Sequence, residues 1–417
     1  MDKFIIESSR NLSGDINVSG AKNAILPVMA ACLLAPGKSI LRNVPSLIDL
    51  KTMAHLLRVI GARVEYGDGF MSIDSKDVCY PEAPYELVSK MRASIYVLGP
   101  LLARLGTAKV SFPGGCAIGT RPVDLHLKAL EALGAKIDIE HGYINARAKQ
   151  LKGADIQFEK SSVGATINTL MVAVYAKGKS RLFNAAMEPE VDSTIDFLNK
   201  MGAKITGQGS TTLTVQGVDD LFPIQSDMIP DRIEAGTFLI AGALSTSPVR
   251  VCGCKPEHLT ALIEKLREAG CELDIKGTNI TVNPPKKIKP CDILTLPHPG
   301  FPTDLQAQFT VLMCLADGTS TVEDTVFPDR FMHVAELARL QADIKMERNI
   351  ATIKGVERLG GAEVMATDLR ASAALVLAGM VAEGSTTVSR IYHIDRGYDR
   401  IEEKLNGLGA KIRREQG

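Results

Sequence analysis

Leu133-Gly134-Ala135-Lys136-Ile137-Asp138-Ile139 reads as the end of a helix, a turn and the start of a strand. Gly134 stands where a helix needs a left-handed residue at its C-terminus, a conformation that glycine adopts without steric cost. The alternation of polar and apolar residues after it is that of a strand. The phrase recurs at Ile60-Gly61-Ala62-Arg63, Met201-Gly202-Ala203-Lys204, Ala269-Gly270-Cys271-Glu272, Leu340-Gln341-Ala342-Asp343 and Leu408-Gly409-Ala410-Lys411. Successive copies lie 68 to 73 residues apart, which makes a sixfold internal repeat. Turn signals follow four of the strands, at Gly67-Asp68-Gly69, Glu140-His141-Gly142, Gly207-Gln208-Gly209 and Lys276-Gly277-Thr278-Asn279. They predict hairpins.

Half a repeat away lies a second phrase, in which a more apolar helix ends in a small turn and a β-branched strand. Its copies are at Leu34-Ala35-Pro36-Gly37-Lys38-Ser39-Ile40-Leu41, Leu105-Gly106-Thr107-Ala108-Lys109-Val110, Lys177-Gly178-Lys179-Ser180-Arg181-Leu182, Ser247-Pro248-Val249-Arg250-Val251, Asp317-Gly318-Thr319-Ser320-Thr321-Val322 and Glu383-Gly384-Ser385-Thr386-Thr387-Val388. Each repeat therefore holds a helix, a strand, a second helix and a strand hairpin, which with one more strand ahead of the first helix makes a βαβαββ-type unit. Repeats of this length exceed the roughly 20–50 residues of solenoid units. Six of them divide into two α/β domains of three, with the apolar helices packed inside and the sheets around them.

The length of 417 residues also favours two domains. Basic and acidic residues balance at 48 each, which gives no support to a nucleic-acid or membrane-surface partner. An anionic ligand would need a local positive site. The eight cysteines, at 32, 79, 116, 252, 254, 271, 291 and 314, form no Cys-x-x-Cys pair and no disulfide framework. A reducing compartment fits them. Cys252 and Cys254 alternate along a strand with no further Cys or His pair to complete a metal site. The apolar stretch Ala24 to Pro36 falls short of the roughly 20 residues that span a bilayer, and the N-terminal apolar run is too short for a secretory signal. The expectation is a cytoplasmic protein.

Pro113-Gly114-Gly115-Cys116-Ala117-Ile118-Gly119-Thr120-Arg121-Pro122-Val123-Asp124-Leu125-His126 breaks this regularity. Its glycines and prolines exclude regular structure and predict a surface loop. Cys116, near the Arg121 guanidinium, stands where a thiolate is favoured. The apolar helices open at Gly20-Ala21-Lys22-Asn23, Lys90-Met91-Arg92-Ala93-Ser94, Ser162-Val163-Gly164-Ala165, Asp231-Arg232-Ile233-Glu234, Pro302-Thr303-Asp304-Leu305 and Thr367-Asp368-Leu369-Arg370-Ala371. Cations there oppose the helix dipole by about 0.3–1 kcal/mol. Either Lys22, Arg92, Arg232 and Arg370 join backbone N–H groups in holding anionic ligands, or some of them pair with acids such as Asp231 and Asp368.

Lys22-Asn23, the Cys116 loop with Arg121, Pro302-Thr303-Asp304-Leu305-Gln306-Ala307-Gln308, Asp329-Arg330-Phe331-Met332-His333, Ala366-Thr367-Asp368-Leu369-Arg370-Ala371-Ser372 and His393-Ile394-Asp395-Arg396-Gly397-Tyr398 together resemble the UDP-N-acetylglucosamine 1-carboxyvinyltransferases. These are the enolpyruvyl transferases of peptidoglycan precursor synthesis. The resemblance covers essentially the whole chain, in order. It implies two inside-out α/β domains, one of residues 22–229 and one of 1–21 with 230–417, and an active site in the cleft between them. It implies phosphoenolpyruvate and UDP-N-acetylglucosamine as substrates, no cofactor or metal, and no nucleic-acid or membrane partner.

The residue roles that follow from the resemblance are these. Cys116 is the proton donor, carries a covalent substrate adduct and is the thiol alkylated by fosfomycin; Asp304 is the base. Lys22, Arg121 and Arg396 hold the phosphate, and Arg330 and Arg370 the carboxylate side or the closed state. The sugar nucleotide is held by Asn23, Arg92, Arg121, Pro122, Val123, Asp124, Leu125, Lys160, Ser161, Ser162, Val163, Gly164, Asp304 and Val326. Lys160 and His126 read equally well as solvated or packing side chains. Two rivals remain, 5-enolpyruvylshikimate-3-phosphate synthase on the same fold and a non-catalytic sugar-nucleotide sensor. The chain has no Gly-x-Gly-x-x-Gly after a strand, no Walker A sequence and no His-Glu-x-x-His, so dinucleotide, triphosphate and zinc chemistries lack their parts.

Overall fold

The computed structural model describes residues 2–67, 69–89, 91–112 and 123–417. They contain six four-stranded sheets, all of one topology. In the sheet nearest the opening phrase, Glu82–Ala83 runs parallel to Thr107–Ser111, which pairs antiparallel with Tyr143–Arg147, which in turn pairs antiparallel with Lys136–Glu140. Val110 faces Ile144, and Ile144 faces Ile139. The next repeat sets Asp155–Gln157, Lys179–Phe183, Thr212–Gln216 and Lys204–Thr206 in the same order. The hairpins expected after the glycine-containing turns are all present.

Between the strands run helices of two kinds. Val163–Ala173, Arg232–Leu244, Gln306–Cys314 and Leu369–Val381 are buried on every side beyond their first turn. Such all-round apolarity belongs to a helix surrounded by protein. The other kind, such as Ile48–Ile60, buries Leu50, Met53, Ala54, Leu57 and Ile60 on one stripe and exposes the opposite face. Gly99 in Leu98–Leu105 shows how closely the inner helices approach. A Cβ there would lie 2.4 Å from the Asn168 Oδ1 of the neighbouring helix.

All six repeats end their second helix on a left-handed residue, at Gly61, Gly134, Gly202, Gly270, Gln341 and Gly409. Gln341 makes the turn at φ +70° without the freedom of glycine. The fifth copy of the phrase thus keeps its geometry where it loses its residue type.

The described residues form two compact units, one of residues 2–19 with Pro230–Gly417 and one of residues 20–112 with 123–229. Each has its own apolar core. Both are closed by strands distant in sequence. Gln225–Asp227 pairs parallel with Lys38–Val44 and completes the first sheet of the second unit. Gly14–Asn17 pairs parallel with Val249–Cys252, and Lys3–Glu7 lies between Ser385–Ser389 and Lys411–Glu415. Alternation alone does not reveal these closures, because the closing strands are only three to five residues long.

The described cysteines are free thiols. Burial pushes Cys32, Cys271, Cys291 and Cys314 up to about 12, which leaves them protonated and inert. No helix among the described residues is long and apolar enough to cross a membrane.

Candidate active site

In the unit of residues 2–19 and Pro230–Gly417, three of the expected residues meet. Asp304 lies in the single turn Thr303–Leu305 that leads into Gln306–Cys314. One carboxylate oxygen accepts from Arg330 Nη1 at 2.6 Å, the other from Arg370 Nη2 at 3.1 Å. Both arginines are almost fully buried, whereas the Asp304 side chain keeps 24 % of its surface. Burial opposes ionisation of Asp304, but the adjacent Arg370 and Arg330 guanidinium groups outweigh it. They hold its carboxyl well below the usual carboxylate range. Arg370 Nη1 is buried without a hydrogen-bond partner among the described residues, so one donor of this guanidinium is left over for an acceptor.

This geometry rests on further buried polar groups, of which Asp324, Thr295 and Thr237 lie outside the stretches that carry the resemblance. Asp324 is fully buried at the end of the strand Thr319–Asp324. It accepts from Thr295 Oγ1 at 2.7 Å, Thr303 Oγ1 at 2.6 Å and the N–H groups of Val326 and Phe327 at 3.0 and 2.8 Å. Thr303 Oγ1 also accepts from Arg330 at 3.2 Å. Asp324 therefore fixes both the Asp304 turn and the loop carrying Val326. On the other side, the Arg370 guanidinium lies 5.4 Å from the Tyr398 ring centre. Tyr398 meets Thr237 Oγ1 at 2.9 Å and Gln308 Nε2 at 3.2 Å. Gln308 in turn donates to the Asp304 backbone carbonyl at 3.1 Å.

In the unit of residues 20–112 and 123–229, Lys22 begins the helix Lys22–Ala31 and is buried, its ammonium 3.2 Å from Asp49 Oδ2. Asp49 is itself buried in the first turn of Ile48–Ile60. Asn23 and Arg92 are half-buried, Asp124 and Lys160 exposed, and Val123 buried. Ser162 caps Val163–Ala173, its hydroxyl accepting from Ala165 N–H at 3.3 Å. The cap leaves the first two N–H groups of that helix, on Val163 and Gly164, without intrahelical acceptors.

The cations at helix starts thus have particular partners. Arg370 pairs with Asp304 and Lys22 with Asp49, whereas Asp231 and Asp368 accept from backbone N–H groups as helix caps. In each cap both N–H groups bond to one oxygen, Oδ1. Asp231 in addition acts electrostatically on the Arg370 guanidinium. Cys116, Arg121 and Pro122 lie outside the described residues. Arg396 is half-buried at the end of the turn Ile391–Arg396.

Residues 6–405 match the profile of the family described as EPSP synthase (3-phosphoshikimate 1-carboxyvinyltransferase). The UDP-N-acetylglucosamine 1-carboxyvinyltransferase of Geobacter metallireducens is 53% identical over 414 residues, 99% of each chain. That of Chloroherpeton thalassium is 54% identical over 418 residues, 100% of this chain and 97% of its own. Among solved structures, the enolpyruvyl transferase NikO of Streptomyces tendae superposes with a TM-score of 0.90 at 25% identity, over 100% of this chain and 99% of that one. An EPSP synthase from Acinetobacter baumannii, at 18% identity and TM-score 0.79 over 100% of both chains, shares the fold. With a family profile across almost all of its length and full-length relatives above half identity, this chain belongs to the carboxyvinyltransferases of the EPSP synthase family, among those that bear the name UDP-N-acetylglucosamine 1-carboxyvinyltransferase.

Proposed function

We propose that the protein transfers the enolpyruvyl group of phosphoenolpyruvate to the 3-hydroxyl of UDP-N-acetylglucosamine and releases phosphate, the first committed step of peptidoglycan precursor synthesis. The observation that carries this reading is the identity of 53–54% to relatives of that name over at least 97% of their length. The activity belongs to the cytoplasm and calls for no cofactor, nucleic acid or membrane.

In this reading Asp304 takes the proton of the sugar hydroxyl as its oxygen bonds to the central carbon of phosphoenolpyruvate. Cys116 gives a proton to the methylene carbon. The methyl group of the resulting tetrahedral intermediate then returns a proton, the carbon–oxygen bond to phosphate breaks, and the carbon–carbon double bond reforms. Lys22, Arg121 and Arg396 hold the phosphate, and Arg330 and Arg370 the carboxylate. Asn23, Arg92, Arg121–Leu125, Lys160–Gly164 and Val326 hold the sugar nucleotide.

A carboxylate gripped by two guanidinium groups is a weak base, since stabilising the anion lowers its proton affinity. Asp304 thus acts once the anionic donor draws Arg330 and Arg370 partly away from it.

Phosphate release, measured with both substrates and with each omitted in turn, tests the function. Release is expected only with both, together with a product heavier than the sugar nucleotide by the enolpyruvyl group. Release with shikimate 3-phosphate in place of the sugar nucleotide would move the protein to the other branch of the family. Binding of the sugar nucleotide without turnover would make it a sensor.

A further inference from the structure

Asn168 is completely buried in the helix Val163–Ala173, and its amide can be oriented in one way only. Its oxygen accepts from the Gly99 backbone N–H at 2.9 Å, and its nitrogen donates to the Ile95 carbonyl at 3.0 Å. A backbone N–H only donates and a carbonyl only accepts, so exchanging the amide atoms would break both bonds. The second hydrogen of the same nitrogen meets His126 Nδ1 at 3.1 Å. Nδ1 must therefore offer a lone pair, and the ring proton sits on Nε2.

His126 is 94 % buried, being 6% exposed, and has no hydrogen-bond partner for Nε2 among the described residues. That nitrogen faces the start of Val163–Ala173. A Cβ added to Gly164 would lie 3.1 Å from it. It is therefore an N–H donor beside the Val163 and Gly164 N–H groups, which the helix leaves unsatisfied. Arg92 acts electrostatically on the same imidazole.

We propose that His126 is a neutral hydrogen-bond donor of a diphosphate subsite at this helix start, its Nε2–H set by Asn168 and aimed beside the N–H groups of Val163 and Gly164. The identification of the ligand rests on the sugar-nucleotide reading given above. The subsite would favour a nucleoside diphosphate group through directed donors, with the charge supplied by Arg92. Gly164 then has a definite use, because any side chain there would crowd the Nε2 edge of the ring.

Nitrogen-15 NMR of histidine-labelled protein and calorimetric titration with UDP test this together. The expected ligand-free spectrum has one His126 ring nitrogen protonated, at Nε2, and its signal moves on adding UDP. His126→Leu should weaken UDP binding by about tenfold, equivalent to about 1.4 kcal/mol or one net hydrogen bond to a charged group. His126→Gln, which keeps a neutral N–H donor, should recover part of that loss, and Gly164→Ala should weaken binding with His126 intact. If the wild-type protein binds UDP but the leucine variant binds it equally well, or the proton is found on Nδ1, the subsite is wrong while the function stands. If neither UDP nor UDP-N-acetylglucosamine binds the wild-type protein, the functional reading falls and the subsite with it.

Discussion

Asp304 was legible as a residue from its place in Pro302-Thr303-Asp304-Leu305, but its two arginine partners lie 26 and 66 positions away. No spacing rule connects them. Removing its charge without changing its shape should leave sugar-nucleotide binding largely intact and slow turnover. Asp304→Asn is expected to lower kcat by about 10²-fold or more, the scale of general-base catalysis. An unchanged kcat would remove Asp304 from the chemistry. His126 makes a second prediction through its burial, which pushes the imidazole down to about 4, with the nearby Arg92 acting in the same direction. The unfolded chain takes up this proton near pH 6.5, so between pH 6.5 and 4 it binds more protons than the folded protein. Stability must then rise with pH through that window and fall on acidification. The denaturant midpoint should drop more between pH 6.5 and 4.5 in the wild-type protein than in His126→Gln. Equal drops would show that His126 is not a source of the acid sensitivity.

At the scale of elements, the recurring helix ends were legible because a left-handed turn selects for one residue type. The parallel strands Glu82–Ala83, Asp155–Gln157, Ile293–Thr295 and Glu363–Met365 were not, since two or three residues carry no periodicity. The capping roles of Asp231 and Asp368 were left open for a related reason. In the sequence, a carboxylate beside an arginine reads as an ion pair as readily as a cap. The helix-end argument also predicts opposite results at equivalent positions. Gly134→Ala places a Cβ on a residue at φ +97° and should cost about 1–2 kcal/mol. Gln341→Gly removes a Cβ from φ +70°, but it also loosens the unfolded chain and withdraws the side chain packed against Gly360. It should change stability by less than about 1 kcal/mol. Denaturant melts check both, and a larger loss for Gln341→Gly than for Gly134→Ala would contradict the assignment.

For the whole molecule, closure by distant strands decides which pieces of the chain can stand alone. Residues 20–229 hold all the strands of their three sheets, and their ends meet where Ala21 N–H donates to the Ile229 carbonyl at 2.8 Å. Residues 230–417 do not hold all of theirs. Without residues 2–19 one sheet loses Gly14–Asn17 from its edge, and another loses its inner strand Lys3–Glu7, which leaves Lys411–Glu415 with no partner. The same loss uncovers the sites of Phe4, Ile6, Leu12 and Ile16, all buried. At about 1.5–3 kcal/mol for each buried apolar side chain, the four together contribute about 6–12 kcal/mol, as much as the roughly 5–15 kcal/mol that holds a typical domain folded. Residues 20–229 made alone should therefore unfold in one cooperative denaturant transition. Residues 230–417 made alone should show no native near-ultraviolet circular dichroism until a peptide of residues 1–19 is added. Ser19 accepts from Asp231 N–H at 2.8 Å, so joining the two segments there through a few glycines should restore folding without the peptide. A cooperative transition of residues 230–417 by themselves would show that the N-terminal strands are accessories rather than part of the fold.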